Sequence, residues 1–209
     1  MAASFDLDFF LVERHWGIGG LALDFKDKTG TVVANAKGAI IKSRYELKDA
    51  AGNHIGEVKH GGLLSPVYNI MDASNSIVGA VNLGTGWTSL LSGIRAITVA
   101  SSDGTVLGNA QGDFMNYEYT IMSPDNSKVL ARISRTMPQG IKGFLLSGIK
   151  MQYGMQVFDK QIPTIVLMGF AVLVEHLAQQ AQANRNRMGT SGGMMGPGFG
   201  FGRGGIKIG

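Results

Sequence analysis

The chain has 209 residues, no cysteine and a formal net charge of +4. This length suits one domain with a tail, and the lack of cysteine excludes disulfides, thiolate metal sites and a thiol nucleophile. Residues 185–209 hold four of the 19 basic residues and no acid, which leaves 15 basic against 15 acidic residues elsewhere. We therefore expect any electrostatic attraction to an anionic partner to come from the C-terminal segment.

The N-terminal segment MAASFDLDFF carries Asp6 and Asp8 where a secretion signal would carry positive charge. No long apolar run follows it, so we expect no secretion signal. The sequence predicts a cytoplasmic protein, either free or peripheral to a membrane.

Five short segments share one pattern: two apolar residues two positions apart, then Asp or Ser, then Gly or Asn three positions later. The apolar pair marks one face of a strand, the Asp or Ser can start a turn, and the Gly or Asn suits a positive φ. The pattern therefore predicts five β-hairpins. Their segments are LDFKDKTGTVVA, YELKDAAGNHIG, YNIMDASNSIVG, ITVASSDGTVLG and YTIMSPDNSKVL. The turns are predicted to start at Asp27, Asp49, Asp72, Ser101 and Ser123, with positive φ at Gly30, Gly52, Asn75, Gly104 and Asn126.

An opening strand at about 5–13 and a closing strand at about 149–158 raise the predicted number of strands to about twelve. So many hairpins in sequence order favour an antiparallel, up-and-down closed barrel, which leaves no exposed sheet edge. A sandwich of two sheets is the alternative.

An apolar segment at 162–174 and the helix-favouring residues after it predict a helix over about 163–182. Its apolar run of 13 residues lies between the charged residues Lys160 and Glu175, whereas a membrane span needs about 20. We therefore expect a buried helix that fills the barrel, with a membrane anchor as the alternative. The predicted domains are a barrel at 1–184 and a disordered tail rich in Gly, Met and Arg at 185–209.

The hairpins YELKDAAGNHIGEV and YNIMDASNSIVGAV, the segment QGDFMNYEYTIM and the ending GMQVFDKQIPTIVLMGFAVLVEHL resemble the LURP-one-related proteins. These are relatives of the phospholipid scramblases in the tubby C-terminal-like superfamily. The resemblance covers about residues 5–180 and implies a twelve-stranded barrel around a central C-terminal helix.

The resemblance also implies a link to lipids, because tubby-like domains bind phosphoinositides and scramblases are connected with calcium-dependent lipid movement. The stretch that corresponds to the scramblase calcium segment, residues 156–163, has Asp159 as its sole acid. Since Ca²⁺ takes about six to eight oxygen ligands, we do not extend calcium dependence to this chain.

The residues show no recognisable catalytic site. His15, His54, His60 and His176 are scattered, and we expect each of them to be a surface or capping residue. No serine lies in a G-x-S-x-G turn, and no glycine-rich segment has the spacing of a nucleotide-binding loop. The sequence predicts a non-enzymatic protein with no cofactor and no metal.

In an up-and-down barrel the connections between hairpins lie together at the end opposite the repeat turns. In this chain those connections carry both tryptophans, several leucines and basic residues, a combination that favours a membrane interface or an apolar protein partner. The alternative is that these side chains plug the mouth of the barrel. The candidate lipid- or partner-binding residues are Arg14, Trp16, Trp87, Leu90, Leu91, Lys142 and Phe144.

The tail is similar to glycine-arginine-aromatic segments that bind single-stranded nucleic acid loosely. This favours a second hypothesis, an interaction or structural protein whose tail contacts nucleic acid. A solvated appendage and a basic arm for an anionic membrane are the alternatives. The candidate residues are Arg185, Arg187, Phe199, Phe201 and Arg203.

Overall fold

The computed structural model describes residues 7–17, 20–39, 44–62, 65–84, 94–113, 116–135 and 152–190. In this part of the chain twelve strands are followed by one helix. The strands are β1 (Phe9–Gly17), β2 (Gly20–Lys26), β3 (Val32–Ala39), β4 (Arg44–Asp49), β5 (His54–His60), β6 (Val67–Asp72), β7 (Ile77–Asn82), β8 (Ile94–Ser101), β9 (Val106–Asp113), β10 (Glu118–Met122), β11 (Val129–Ser134) and β12 (Gln152–Val157), and the helix is α1 (Thr164–Thr190).

Each strand pairs antiparallel with its neighbours in the sequence, and β1 pairs with β12 to close the sheet into a barrel. In that closing pair Phe10 lies opposite Met155 and Val12 opposite Tyr153. The predicted closed barrel is therefore confirmed, and the two-sheet sandwich is excluded. Strand β1 begins at Phe9 and runs to Gly17, so it lies four residues further along the chain than predicted.

The repeat turns form by local hydrogen bonding. In the β6–β7 turn, one oxygen of Asp72 accepts the backbone N–H groups of Ser74 at 2.8 Å and Ser76 at 3.0 Å. Asp27 and Asp49 also accept backbone N–H groups in their own turns, whereas Asp103 and Asp125 do so in the two turns that start with serine. All five predicted positions have a positive φ, including 86° at Gly30 and 62° at Asn75. The five predicted hairpins are therefore confirmed.

Alternate strand residues point into the barrel and make up its core. Strand β2 alternates between partly buried and buried positions, and Leu23 and Phe25 are fully buried. The apolar pairs of the other four hairpins are buried as well, as the period of two predicts.

Helix α1 fills the lumen. It begins after Pro163, whose carbonyl oxygen accepts the N–H groups of Val166 and Leu167. By length and composition the stretch Thr164–Ala183 could cross a membrane, but 78% of it is buried inside the structure, as expected of a core helix. The helix continues to Thr190, beyond the predicted end at about 182, so residues 185–190 are helical and not the start of the tail.

The helix lies closest to the wall formed by β5, β6 and β7. A Cβ atom added at Gly169 would lie 2.7 Å from Cδ1 of Ile70, and one added at Gly79 would lie 2.7 Å from Cγ2 of Val166. The absence of side chains at these two positions allows the close approach. Larger side chains occupy the space toward β10, where the rings of Phe170 and Tyr119 meet edge to face.

Candidate functional site

The two ends of the barrel differ in their connections. The turn end contains the repeat turns at 27–31, 50–53, 73–76, 102–105 and 123–128, as well as the start of α1. The loop end contains the connections β1–β2, β3–β4, β5–β6, β7–β8, β9–β10 and β11–β12. Most residues of these connections lie outside the described residues.

The turn end is rich in ionised carboxylates. Hydrogen bonds from the Ser101 hydroxyl and from Thr105 lower the pKa of Asp103 to about 2. Ser123 and Ser127 likewise lower the pKa of Asp125 to about 2. The pKa values of Asp27, Asp49 and Asp72 are also lowered, first by side-chain hydrogen bonds within their turns. All five carboxylates are therefore charged at neutral pH.

Near the loop end, three of the described basic side chains are exposed, whereas Arg14 is buried. Arg44 has 63% of its side chain exposed while it pairs at 2.6 Å with Glu57, whose carboxylate is buried. Lys59 and Arg135 are exposed as well, and the guanidinium of Arg135 lies 4.5 Å from the ring centroid of Tyr117. The carboxylate of Glu57 is thus buried, whereas the guanidinium of Arg44 that pairs with it reaches the solvent.

Inside the barrel, just below the loop end, lies an inner polar cluster of Arg14, Tyr45, Tyr68, Glu175 and His176. Arg14 Nη1 donates to Glu175 Oε1 at 2.6 Å, and both side chains are buried. The Tyr45 hydroxyl lies 2.5 Å from His176 Nδ1, and the Tyr68 hydroxyl lies 3.3 Å from His176 Nε2. The cluster thereby ties the middle of α1 to β1, β4 and β6.

Burial sets the protonation of this cluster. It lowers the pKa of His176 to about 4, and the electrostatic interaction with His60 adds to the effect, so the imidazole is neutral at pH 7. Burial also raises the pKa of Tyr45, with smaller contributions from Tyr68 and Glu175. The cluster is therefore a network of neutral rings beside one ion pair, without an activated nucleophile.

The prediction that His176 is a surface or capping residue is wrong, because its side chain is fully buried. The ring can be buried because it is neutral and both of its nitrogens face polar groups, Tyr45 at Nδ1 and Tyr68 and Gln180 at Nε2. Among the described residues no group of three or more His, Asp or Glu side chains could hold a metal ion.

The predicted lipid-binding residues fall into three groups. Arg14 lies inside the barrel in its ion pair with Glu175, so in this conformation its guanidinium is not available to a headgroup. Trp16 belongs to β1, where it lies opposite Leu21 of β2. The strand was predicted to end at about residue 13, but it continues to Gly17. The other predicted residues lie outside the described residues: Trp87, Leu90, Leu91, Lys142 and Phe144.

Of the predicted nucleic-acid-binding residues, Arg185 and Arg187 belong to the last turns of α1. The other three, Phe199, Phe201 and Arg203, lie outside the described residues. The tail hypothesis therefore stays a prediction.

The sequence did not predict the inner polar cluster. Its partners are 161 positions apart for Arg14 and Glu175 and 131 positions apart for Tyr45 and His176. One signal was present: a tyrosine occupies the first inward position of three hairpins, at Tyr45, Tyr68 and Tyr119. A buried tyrosine hydroxyl needs a partner, which the polar residues directly after the apolar helical run can supply.

Comparison with known proteins places this barrel in a family. A solved X-ray structure of a protein from Arabidopsis thaliana is similar at 11% identity, with a TM-score of 0.38, covering 84% of this chain and 98% of that one. No curated protein sequence matches. The family model described as LURP-one-related matches residues 7–175, which is most of the barrel and the first half of α1. The chain therefore belongs to the LURP-one-related family.

Proposed function

We propose that this protein is a non-enzymatic β-barrel that associates with anionic phospholipid surfaces through its loop end. The observation that carries the proposal is the unequal distribution of side chains between the two ends. The five repeat turns present ionised carboxylates, whereas the opposite connections hold Trp87, Leu90 and Leu91 together with basic residues. Trp favours the boundary between water and lipid, and Lys and Arg favour anionic headgroups.

The interior gives no support to a catalytic role. The buried polar groups of the inner polar cluster are used to hold α1, and the lumen around them is filled by apolar side chains. The pKa values of Tyr45 and Tyr117 are raised by burial, so neither hydroxyl is ionised near neutral pH. A binding role at the surface accounts for the chain better than chemistry in the lumen.

The proposal is tested by co-sedimentation with vesicles of phosphatidylcholine that contain increasing amounts of phosphatidylserine. We expect wild type to bind more tightly as the anionic fraction rises. The variant Trp87→Ala/Leu90→Ala should bind about tenfold more weakly, because it loses apolar side chains that enter the interface. Lys142→Gln should reduce the dependence on anionic lipid.

Phe158→Ala is the matched control, since Phe158 is a large apolar residue with 52% exposure that follows β12 at the turn end. It should bind vesicles as wild type does. Thermal unfolding of every variant separates loss of binding from loss of fold. If wild type does not bind at any anionic content, lipid association is not the function.

A further inference from the structure

The C-terminal part of α1 projects out of the barrel. The helix is buried as far as Ala181, whereas Gln182 and Ala183 are exposed. It nevertheless continues to Thr190. At a rise of 1.5 Å per residue, the part after Ala181 extends about 13 Å. We call residues 182–190 the helix exit.

The helix exit lies at the loop end. Helix α1 begins at the turn end and reaches Glu175 and His176 on its way out. These two side chains contact Arg14 near the end of β1, Tyr45 at the second residue of β4 and Tyr68 at the second residue of β6. Each of these strand positions borders a loop-end connection, so the helix leaves the lumen there.

The segment that leaves the barrel and the turn end differ in their charged residues. The helix exit carries Arg185 and Arg187, and no acid occurs anywhere in 185–209. The turn end carries five carboxylates with lowered pKa values, on two exposed and three partly exposed residues. Strands of five to nine residues, tilted as in other barrels, separate the two ends by about 13 Å or more, which exceeds the Debye length of about 8 Å at physiological salt. A flat anionic surface therefore interacts with one end at a time.

We propose that the helix exit is a contact of this protein with an anionic phospholipid surface, and that it orients the barrel with the loop end toward the lipid. This inference rests on the proposed function, and it adds which residues contact the anionic headgroups and which end of the barrel faces the lipid. The two arginines attract the headgroups beside the apolar connections, while the carboxylates of the turn end are repelled and face the solvent.

The first test compares two variants that each remove two positive charges. Arg185→Gln/Arg187→Gln changes the helix exit, and Lys28→Gln/Lys48→Gln changes exposed or half-exposed side chains at the turn end. For the first variant we expect the apparent Kd for phosphatidylserine vesicles to rise about 5- to 30-fold, since each arginine near the surface contributes about fivefold. The second variant should bind as wild type does.

The second test reads the orientation directly and uses the absence of cysteine from the sequence. One variant carries a single cysteine on the helix exit, Gln182→Cys, and the other carries one in the β4–β5 turn, Ala51→Cys. The native residues at both positions are exposed. Each variant is labelled with an environment-sensitive nitrobenzoxadiazole dye. When anionic vesicles are added, we expect the dye at position 182 to show a blue shift of its emission and quenching by headgroup-labelled lipid. The dye at position 51 should show no shift and no quenching.

The outcomes separate this inference from the proposed function. If wild type binds no vesicle, the proposed function and the inference both fail. If the helix-exit variant binds vesicles as tightly as wild type, the inference fails and lipid association stands. The same conclusion follows if the arginine variant and the turn-end lysine variant weaken binding equally. A blue shift at position 51 instead of 182 would reverse the proposed orientation and overturn the inference. Binding of the helix exit to single-stranded RNA but not to vesicles would also overturn it.

Discussion

At the scale of single residues, the inner polar cluster shows how a barrel of this size tolerates charge in its core. Glu175 is fully buried, and its Oε1 atom accepts hydrogen bonds from Arg14 at 2.6 Å and from Gln179 at 3.1 Å. A buried carboxylate without such partners would cost several kcal/mol. The neighbouring tyrosine Tyr117 has its pKa raised by burial and by the negative charge of Glu175. The ion pair is therefore embedded in neutral hydroxyl groups.

His176 should make the stability of the fold depend on pH in a defined window. Its pKa is about 4 in the folded protein against an ordinary value of 6.5, so the unfolded chain binds the proton more tightly. The resulting stability is fully present above pH 6.5 and is lost as the pH falls toward 4, by up to about 3 kcal/mol. Urea unfolding of wild type between pH 7.5 and pH 4.5 measures this loss.

His176→Gln is the matched variant, because glutamine keeps a donor and an acceptor but does not titrate. We expect it to be less stable than wild type at pH 7.5 and to show a smaller loss on acidification. An equal loss in both proteins between pH 6.5 and pH 4.5 would assign the pH dependence to other groups.

The residue scale is also where prediction from sequence fails. The spacing of apolar residues identified the inward faces, but it could not show that Arg14 and Glu175 meet, because closing the barrel brings together residues 161 positions apart. For the same reason, the sequence indicates Glu175 only as the polar boundary of the apolar run. Its burial depends on a partner that no local pattern indicates.

At the scale of secondary-structure elements, prediction succeeds where the forces are local. A turn such as Asp72–Ser76 contains its own acceptor, donors and positive-φ residue within five positions. The end of α1 was less predictable: the helix continues through Arg185 and Arg187 without an apolar stripe to mark it. The start of β1 was shifted because Phe9 and Phe10 pair with β12, which is distant in the sequence.

The close packing of α1 on β6 depends on Gly169. On an exposed helix, Gly→Ala would be favourable by about 1 kcal/mol. Here the new Cβ would lie 2.7 Å from Cδ1 and 2.8 Å from Cγ1 of Ile70, so we expect Gly169→Ala to destabilise the fold by about 1–3 kcal/mol. Urea unfolding measures the free energy.

Ile70→Ala provides the second half of a double-mutant cycle, because it removes the two atoms that the new Cβ would approach within 3 Å and leaves Cγ2 of Val58 at 3.2 Å. The double variant Ile70→Ala/Gly169→Ala should be more stable than the sum of the two single losses indicates. Additive losses would mean that the contact with Ile70 is not what excludes a side chain at position 169.

At the scale of the whole molecule, the barrel and the helix share one hydrophobic core. The wall has no free edge because β1 pairs with β12, and the lumen has little free space because α1 occupies it. The same arrangement explains why a helix with the length and composition of a membrane span is retained in the core. Its apolar side chains already contact the inward faces of the strands.

Truncations at three points along α1 should therefore have unequal effects. Eight buried Val, Leu, Met and Phe side chains lie on the helix between Val166 and Leu177. At about 1.5–3 kcal/mol each, they contribute as much as the whole stability of a typical domain, about 5–15 kcal/mol. A chain that ends at Pro163 should show no cooperative urea transition, because an empty lumen cannot hold the strands together. A chain that ends at Thr190 should have the urea midpoint of the full chain.

The chain that ends at Ala183 is the decisive intermediate. It retains every helix side chain that the structure describes as buried, and compared with the chain that ends at Thr190 it loses only part of the helix exit, so it should unfold cooperatively with a midpoint near that of the full chain. If our further inference is right, the same protein should bind anionic vesicles more weakly than the chain that ends at Thr190. Cooperative unfolding of the chain that ends at Pro163 would show instead that the barrel is stable without its helix, and α1 would then be free to leave the lumen.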